Sequence, residues 1–295
     1  MKKSFLSIIC LLIATNIQAQ LSEKPIVYQV GAYKIYMLTE NQSNGNAGIL
    51  IDVPQEILEK YIPDGTFPNA VHAVLITKND EVWLVDTGFG RNIFKQMEVV
   101  GIMPENVNHV ILTHLHGDHI GGMLRDKKPA FPSADITLSE KEYDYWISET
   151  EMLKLPENNR GNFKLAQNVL QVYGAKVKRQ DPISIGEKFS DGIHILDAYG
   201  HTPGHVMCLI KDKTNELLIW GDLTHAMAIQ MPHPEIAVTY DNDPNLARES
   251  RLKVLKYVSE NEIPIAGMHV PFSGIGTVKK DKNSNGYIFE KFSIH

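Results

Sequence analysis

The feature that most constrains this chain is a cluster of ligand-type side chains directly after an apolar segment. Residues 109–113 are largely β-branched and apolar, as in a buried strand, and His114, His116, Asp118 and His119 follow at once. Four such side chains are costly to bury together unless a partner binds them. Neutral imidazole and carboxylate bind zinc and similar divalent ions, and alternation along the strand end points both His114 and His116 to one side. The cluster therefore predicts a metal site at the end of a buried strand.

Strand and helix patterns alternate along the rest of the chain. Strands are predicted at residues 71–76, 81–85, 109–113, 193–197, 206–211 and 216–220, and helices at 92–100, 141–147, 163–173 and 245–259. Asp243 and Pro244 predict the start of the last helix, whose buried stripe is expected to be Leu246, Leu252, Leu255 and Val258. The alternation predicts an α/β fold, with one domain over residues 20–295.

The N-terminus has the pattern of a secretory signal. Lys2 and Lys3 precede an apolar run over residues 5–14, and the small residue Ala19 precedes Gln20. A cleaved signal peptide at residues 1–19 is therefore expected, which predicts a periplasmic or secreted protein. The apolar run is shorter than the roughly 20 residues that a membrane span needs. Cleavage leaves Cys208 as the only cysteine, so no disulfide within the chain is expected.

Charge and composition narrow the class of partner. The chain has a formal charge of −6 and no basic run, which argues against nucleic acid as a partner. Hydrophobic residues make up 43% and charged residues 22% of the chain, as in ordinary globular proteins. A small-molecule substrate is the expected partner, and the sequence leaves a homodimer open.

The segment from Thr113 to His119 resembles the metal-binding motif of the metallo-β-lactamase superfamily, and four further positions resemble that family's pattern. They are Asp86, His205 in Gly-His-Thr-Pro-Gly-His, Asp222 in Trp-Gly-Asp, and His269 in Gly-Met-His. The resemblance implies an αβ/βα four-layer sandwich with two divalent ions, expected to be zinc, between the sheet edges. It implies one ion on His114, His116 and His205, the other on Asp118, His119 and His269, with Asp222 shared. Asp86 and His201 are expected to lie behind these ligands without binding metal.

The same resemblance implies hydrolysis by a hydroxide that bridges two ions, with Asp118 also helping to handle the proton. Segments at residues 131–134, 142–146, 228–230 and 269–276 resemble the branch that contains methyl parathion hydrolase and related lactonases. An aspartate at position 222 disfavours a β-lactam substrate, because true β-lactamases of this fold lack it. The 26 residues after His269 resemble a closing strand pair rather than the helical domain of glyoxalase II-like thioesterases.

His225 bears on the substrate class. Organophosphate-specialised members carry an apolar residue three positions after the bridging aspartate, whereas His225 resembles the lactone-hydrolysing members. The leading hypothesis is therefore a dinuclear hydrolase of lactones or related esters, in which His225 assists the leaving group or the oxyanion. A rim histidine without a proton role is the alternative for His225. Trp146 and Tyr240 are candidates to line a substrate pocket, with ordinary core packing as their alternative. A phosphotriesterase, a β-lactamase and a metal-binding protein with an inactive site remain as alternative functions.

Overall fold

The computed structural model describes residues 24–292. The expected signal peptide at residues 1–19 lies outside them. The strands are β1 Ile26–Val30, β2 Tyr33–Asn46, β3 Thr66–Lys78, β4 Glu81–Val85, β5 His109–Ile111, β6 Leu124–Arg125, β7 Lys128–Pro129, β8 Asp135–Ser139, β9 Val177–Gln180, β10 Gly192–Asp197, β11 Val206–Asp212, β12 Asn215–Ile219, β13 Ile265–Ala266, β14 Ile275–Lys280 and β15 Tyr287–Lys291. The α-helices are α1 Gln55–Tyr61, α2 Ile93–Val99, α3 Gly117–Ile120, α4 Glu140–Ile147, α5 Glu149–Lys154, α6 Gly161–Tyr173, α7 Met227–Gln230 and α8 Pro244–Glu260.

Two mixed sheets pack face to face. The first has the strand order β1-β2-β3-β4-β5-β8-β9, and the second runs β10-β11-β12-β13-β14-β15. Residues alternate between the two faces of each strand: Val206, Cys208 and Ile210 pack between the sheets, whereas Met207 and Leu209 pack on the outer side of the second sheet. Strands that bury both faces read as continuous apolar runs, which is why β11 was recognisable in the sequence.

Helices cover both outer faces. Side chains from α2, α4 and α6 pack on the first sheet, and those from α8 pack on the second. The layers are therefore helix, sheet, sheet, helix, which confirms the predicted α/β class and four-layer sandwich. In residues 24–292, no helix has the length and apolar content that a bilayer crossing demands.

The C-terminal segment forms the expected strand pair, because β14 and β15 are antiparallel neighbours at the edge of the second sheet. The buried stripe of α8 differs from the expectation. Leu255 and Val258 are buried as predicted, but Leu246 and Leu252 are 38% and 39% exposed. Arg251, a charged residue that apolar periodicity does not select, is buried on this face instead. The face is therefore rotated from the predicted stripe and includes a buried cation.

Asp243 caps α8 as predicted. Its carboxylate oxygen Oδ1 accepts hydrogen bonds from the backbone N–H groups of Asn245 and Leu246, at 3.1 and 3.0 Å. Substitution Asp243→Ala leaves both N–H groups without this acceptor and is expected to lower the free energy of unfolding by about 1 kcal/mol. Chemical denaturation checks this. Asp243→Asn keeps an acceptor oxygen and serves as the control, and equal loss in both variants would contradict the capping role.

Candidate metal centre

The ends of several strands meet at one edge of the sandwich. The loop after β5 carries His114 and His116 and continues into α3 with Asp118 and His119. His201, Asp222 and His269 follow β10, β12 and β13 of the second sheet. All of these except His116 and Asp118 are buried. Both sheets therefore contribute polar side chains to one cluster.

Three imidazole nitrogens and one carboxylate form the first potential ligand set. His116 Nδ1 lies 3.0 Å from His114 Nε2 and 3.1 Å from His201 Nε2. Oδ2 of Asp222 lies 3.6 Å from His114 Nε2 and 3.3 Å from His201 Nε2. Ligands about 2.0–2.1 Å from a tetrahedral zinc ion lie about 3.3–3.4 Å apart, so this spacing suits such an ion.

The second potential set contains Asp118, His119 and His269 and again reaches Asp222. Oδ2 of Asp118 lies 3.3 Å from His269 Nε2 and 3.8 Å from His119 Nε2. Asp222 presents Oδ1 to His119 Nε2 at 3.1 Å and Oδ2 to His269 Nε2 at 3.2 Å. The Asp222 carboxylate is therefore within reach of both sets, the arrangement that the family resemblance implies.

Two of these atoms show that a cation fits here. His119 Nε2 and Asp222 Oδ1 are buried and 3.1 Å apart, and neither makes a hydrogen bond of good geometry among the described residues. A buried polar atom without a partner is costly, and a divalent ion would satisfy both atoms at once. The donor set of imidazole nitrogen and carboxylate oxygen is that of zinc and similar ions.

Hydrogen bonds behind the rings leave the inward-facing nitrogens available. Nδ1 of His119 faces Asp86 Oδ2 at 2.7 Å, and Nδ1 of His269 faces the carbonyl of Ala70 at 2.9 Å. Nδ1–H therefore donates in both rings, so that either ring, when neutral, presents the lone pair of Nε2 to the cluster. Asp86 also accepts from the backbone N–H and the hydroxyl of Thr113, at 2.8 and 2.7 Å. Asp86 thus lies behind His119 and joins it to the loop after β5.

The structure reverses the predicted roles of His201 and His205. His205 accepts a hydrogen bond from the backbone N–H of Asp222 at its Nε2, 2.9 Å away, and its Nδ1 lies 2.9 Å from the carbonyl of Ala198. Both ring nitrogens are therefore occupied. Gly221 has φ +56°, and a Cβ there would lie 2.5 Å from His205 Nε2, so the ring supports the backbone beside Asp222.

His201 takes the position that was expected for His205. Its Nδ1 faces Asp241 Oδ1 at 3.0 Å, and its Nε2 faces the cluster. The predicted assignment of His205 as a ligand and of His201 as a residue behind the ligands is thus corrected. The two histidines lie four residues apart in one loop, and only the hydrogen bonds of the folded chain distinguish them.

The charges of the cluster shift its pKa values strongly. Burial disfavours the charged form of His269, but the nearby Asp222 and Asp118 outweigh this and raise its pKa to about 10. Burial and the neighbouring His201 lower the pKa of His116 to about 3. Burial opposes ionisation of Asp222, but the surrounding histidines, His119 foremost, hold its pKa well below the usual range. The Asp222 carboxylate is therefore ionised and requires positive charge nearby.

The comparison with known protein families decides the classification. The model of the metallo-beta-lactamase superfamily matches residues 66–262, which is about two thirds of the chain. The chain belongs to the metallo-beta-lactamase superfamily.

Relatives and solved structures support this classification. The chain is 27% identical over 176 residues to the N-acyl homoserine lactonase AiiA of Bacillus thuringiensis subsp. kurstaki, covering 59% of this chain and 58% of that protein. It is 26% identical to YobT of Bacillus subtilis (strain 168) over 52% of this chain and 61% of that protein. The matches thus span about three fifths of these relatives.

Two solved structures cover nearly the whole chain. One is AbOPH, described as a hydrolase in the beta lactamase superfamily, with 29% identity and a TM-score of 0.79 over 92% of this chain and 98% of that one. The other is AidC, described as a dizinc quorum-quenching lactonase in complex with a product, with 24% identity and a TM-score of 0.82 over 91% of this chain and 97% of that one. At 24% identity, the second likeness shows the fold alone.

A cavity of about 610 Å³ lies over the candidate metal centre. Its lining includes Ser43, Asn44, Gly45, Asn46, Ile49, Asn69, Phe89, His116, Gly117, Asp118, Asn162, His201, Asp222, His225, Tyr240 and His269. Tyr240 is 53% exposed and lies in this wall, where a substrate would contact it. His205 is not part of the lining, in agreement with its supporting role.

The structure places Trp146 outside the cavity, in the core on the outer side of the first sheet. The residue is 3% exposed, and its ring packs against Phe163 and against the edge of His116. Its indole N–H donates to Glu142 Oε1 at 2.6 Å. Of the two alternatives for Trp146, this position corresponds to core packing. The ring also contacts His116 from behind.

Glu142 is a site residue that sequence reasoning missed. Its buried carboxylate accepts four hydrogen bonds: from Trp146, from the Leu115 N–H, from the Thr202 hydroxyl and from the Gly204 N–H. It thereby joins the loop of His114 and His116 to the loop of His201. An isolated glutamate in a helix pattern carries no signal for such a role.

His225 contacts the shared carboxylate directly. Its Nε2 lies 3.0 Å from Asp222 Oδ2, and its ring stacks on His269 with centroids 4.9 Å apart. Gln230 Oε1 accepts from the His225 N–H at 2.7 Å, and Asn69 donates to the His225 carbonyl at 2.7 Å. Gln230 on the short helix α7 and Asn69 near the start of β3 therefore fix His225 at the cavity wall.

The exchange of His201 and His205 generates a prediction. His201→Ala removes an inward-facing nitrogen and is expected to lower the amount of metal that the folded protein retains after gel filtration. His205→Gln removes no inward-facing nitrogen and is expected to retain the wild-type metal content. Elemental analysis of both variants, with circular dichroism to confirm folding, makes the comparison. Loss of metal in His205→Gln together with full metal in His201→Ala would contradict the geometry.

Proposed function

We propose that this chain is a dinuclear metal-dependent hydrolase that opens lactones or cleaves related esters. The observation that carries the proposal is the convergence of two ligand sets on Asp222 at the floor of a substrate-sized cavity. In this proposal one ion is held by His114, His116, His201 and Asp222. The other is held by Asp118, His119, His269 and the same Asp222.

Divalent ions in such a centre supply a water of lowered pKa and polarise the bond under attack. The protein's own residues orient the reacting groups. Asp118 lines the cavity with its side chain 25% exposed, so its carboxylate can accept a proton from the water as well as bind metal. In this proposal the Nε2–H of His225, which faces Asp222 Oδ2 at 3.0 Å, would turn to the oxygen that becomes negative during ester opening.

The charge of the cavity wall supports an uncharged substrate. Among the described residues that line it, Asp118 and Asp222 are the only acidic ones, and none is lysine or arginine. Away from the proposed ions, an anionic substrate would therefore find no cationic side chain apart from the histidines. The wall instead offers asparagine amides together with the apolar surfaces of Ile49, Phe89 and Tyr240. A neutral lactone or ester with an acyl or aromatic group suits this surface.

The relatives point to the same substrate class. AiiA is named as an N-acyl homoserine lactonase and AidC as a quorum-quenching lactonase. These names concern those proteins, and the aligned region covers only 58% of AiiA. They support lactone hydrolysis as the type of reaction, and a direct assay identifies the substrate.

A panel assay tests the proposed function. Zinc-loaded protein is mixed with an N-acyl homoserine lactone, an aryl ester, a phosphotriester and a β-lactam, and the metal content is measured in parallel. We expect two ions per chain, highest kcat/KM on the lactone or the aryl ester, loss of activity after chelation and recovery on adding zinc. A stoichiometry that stays at one ion would refute the dinuclear centre. A clear preference for the phosphotriester or the β-lactam would refute the substrate class.

His225 is expected to separate lactone from phosphotriester hydrolysis. His225→Leu removes the N–H at the cavity wall and is expected to lower kcat for lactones by about 10²- to 10⁴-fold. Phosphotriester hydrolysis is expected to stay level or rise, because an aryl phenolate leaves without a proton donor and leucine enlarges the apolar surface.

His194→Leu is the matched control, since His194 lies on β10, is only partly buried and is outside the cavity lining. Metal content is measured for both variants. A parallel loss of both activities in His225→Leu would instead indicate that His225 only supports the structure of the centre.

A further inference from the structure

Arg251 is a buried cation close to the metal centre but outside the cavity. It lies on α8, is 1% exposed, and is not among the residues that line the cavity. Burying a guanidinium is costly unless its N–H groups have acceptors. The partners of Arg251 therefore show what its burial accomplishes.

The guanidinium binds the long loop between β12 and α8 at several points. Its Nε donates to the carbonyl of Leu223 at 2.7 Å, directly after Asp222. One terminal nitrogen donates to the carbonyls of Pro234 and Ile236, at 2.9 and 2.8 Å. The start and the middle of the loop are thus fixed to one rigid side chain.

The other terminal nitrogen faces the carboxylate that orients His201. It lies 3.7 Å from Asp241 Oδ2, while Asp241 Oδ1 lies 3.0 Å from His201 Nδ1. Both side chains of the ion pair are 1% exposed, and the charge of Asp241 is compensated by the hydrogen bonds it accepts from His201 and from the Val238 N–H, with the positive charge of Arg251 added behind them. Arginine, aspartate and histidine form a line that leads from α8 to the metal centre.

A second path leads from Arg251 to His225. The carbonyl of Ile236 accepts from Arg251 and also from the side-chain amide of Gln230, at 3.0 Å. Gln230 in turn accepts from the backbone N–H of His225. Arg251 therefore constrains both the loop that carries Asp222 and the segment that carries His225.

We propose that Arg251 is a positioning residue that sets the affinity of the metal centre, by fixing His201 through Asp241 and Asp222 through Leu223. This inference rests on the proposed function, because it takes His201 and Asp222 as ligands. The planar guanidinium is required, since it reaches Leu223, Ile236 and Asp241 at the same time. A lysine has a single nitrogen and cannot span these three groups.

Zinc affinity is the readout, measured by competition with a chromophoric chelator. Arg251→Lys and Arg251→Met are expected to weaken zinc binding by about 10- to 100-fold, the range typical of residues that orient metal ligands, with the lysine variant less affected. Arg248→Met is the control, because Arg248 lies on the same helix and is partly exposed. Within residues 24–292 its side chain donates a hydrogen bond to Asn245 and none to the loop that Arg251 binds. It is expected to bind zinc as the wild type does. Where the methionine variant fails to fold, the lysine variant, which keeps the charge, gives the answer.

A double-mutant cycle with Asp241→Asn tests the route. If Arg251 acts through Asp241, the zinc affinity lost in the double variant is smaller than the product of the two single losses. Independent losses would overturn the route through Asp241. Arg251 variants that are less stable but bind zinc with wild-type affinity would overturn the inference alone. Failure of the unaltered chain to bind zinc would overturn the proposed function, and this inference with it.

Discussion

The structure of the site depends on one buried carboxylate. Five imidazole nitrogens lie within 3.6 Å of the two oxygens of Asp222, and the residue is 3% exposed. An ionised carboxylate in such a place is stable only beside compensating positive charge. Neutral imidazoles supply none, so either metal ions or protonated rings must be present. The ligand geometry, with lone pairs directed inward, fits metal ions.

The residues that hold this arrangement lie behind the ligands and connect distant parts of the chain. Glu142 on α4 joins the loops of both halves, and Arg251 on α8 joins the loop of Asp222 to Asp241. Both are buried, and backbone groups take two of the four hydrogen bonds of Glu142 and all three of those of Arg251. Because each bridges segments far apart in sequence, loss of either would displace ligands that it does not touch. The sheets provide the coarse position of each ligand, and these two side chains refine it.

The sequence predicts features that depend on neighbouring residues, and it does not predict those that depend on residues far apart along the chain. The strands β4, β11 and β12 and the cap of α8 depend on local periodicity and turn residues, and their bounds came within one or two residues of the prediction. The choice between His201 and His205 depends on hydrogen bonds to Asp241 and to the Asp222 backbone, which no local pattern encodes. The burial of Arg251 depends on carbonyls of a remote loop, so a periodicity argument selected leucines instead.

The ligands and the cavity wall come largely from different segments of the chain, which explains why the family does not identify the substrate. The ligands extend from strand ends and from loops held by buried charges, whereas much of the cavity wall comes from other segments. Asn44 lies near the end of β2, Phe89 lies in the loop after β4, Asn162 lies in the first turn of α6 and Tyr240 lies in the loop before α8. Changes at these positions alter the shape and polarity of the wall without touching the ligands. His225 differs from these positions, because it lines the cavity and also contacts Asp222, so the wall and the shared carboxylate meet at this residue.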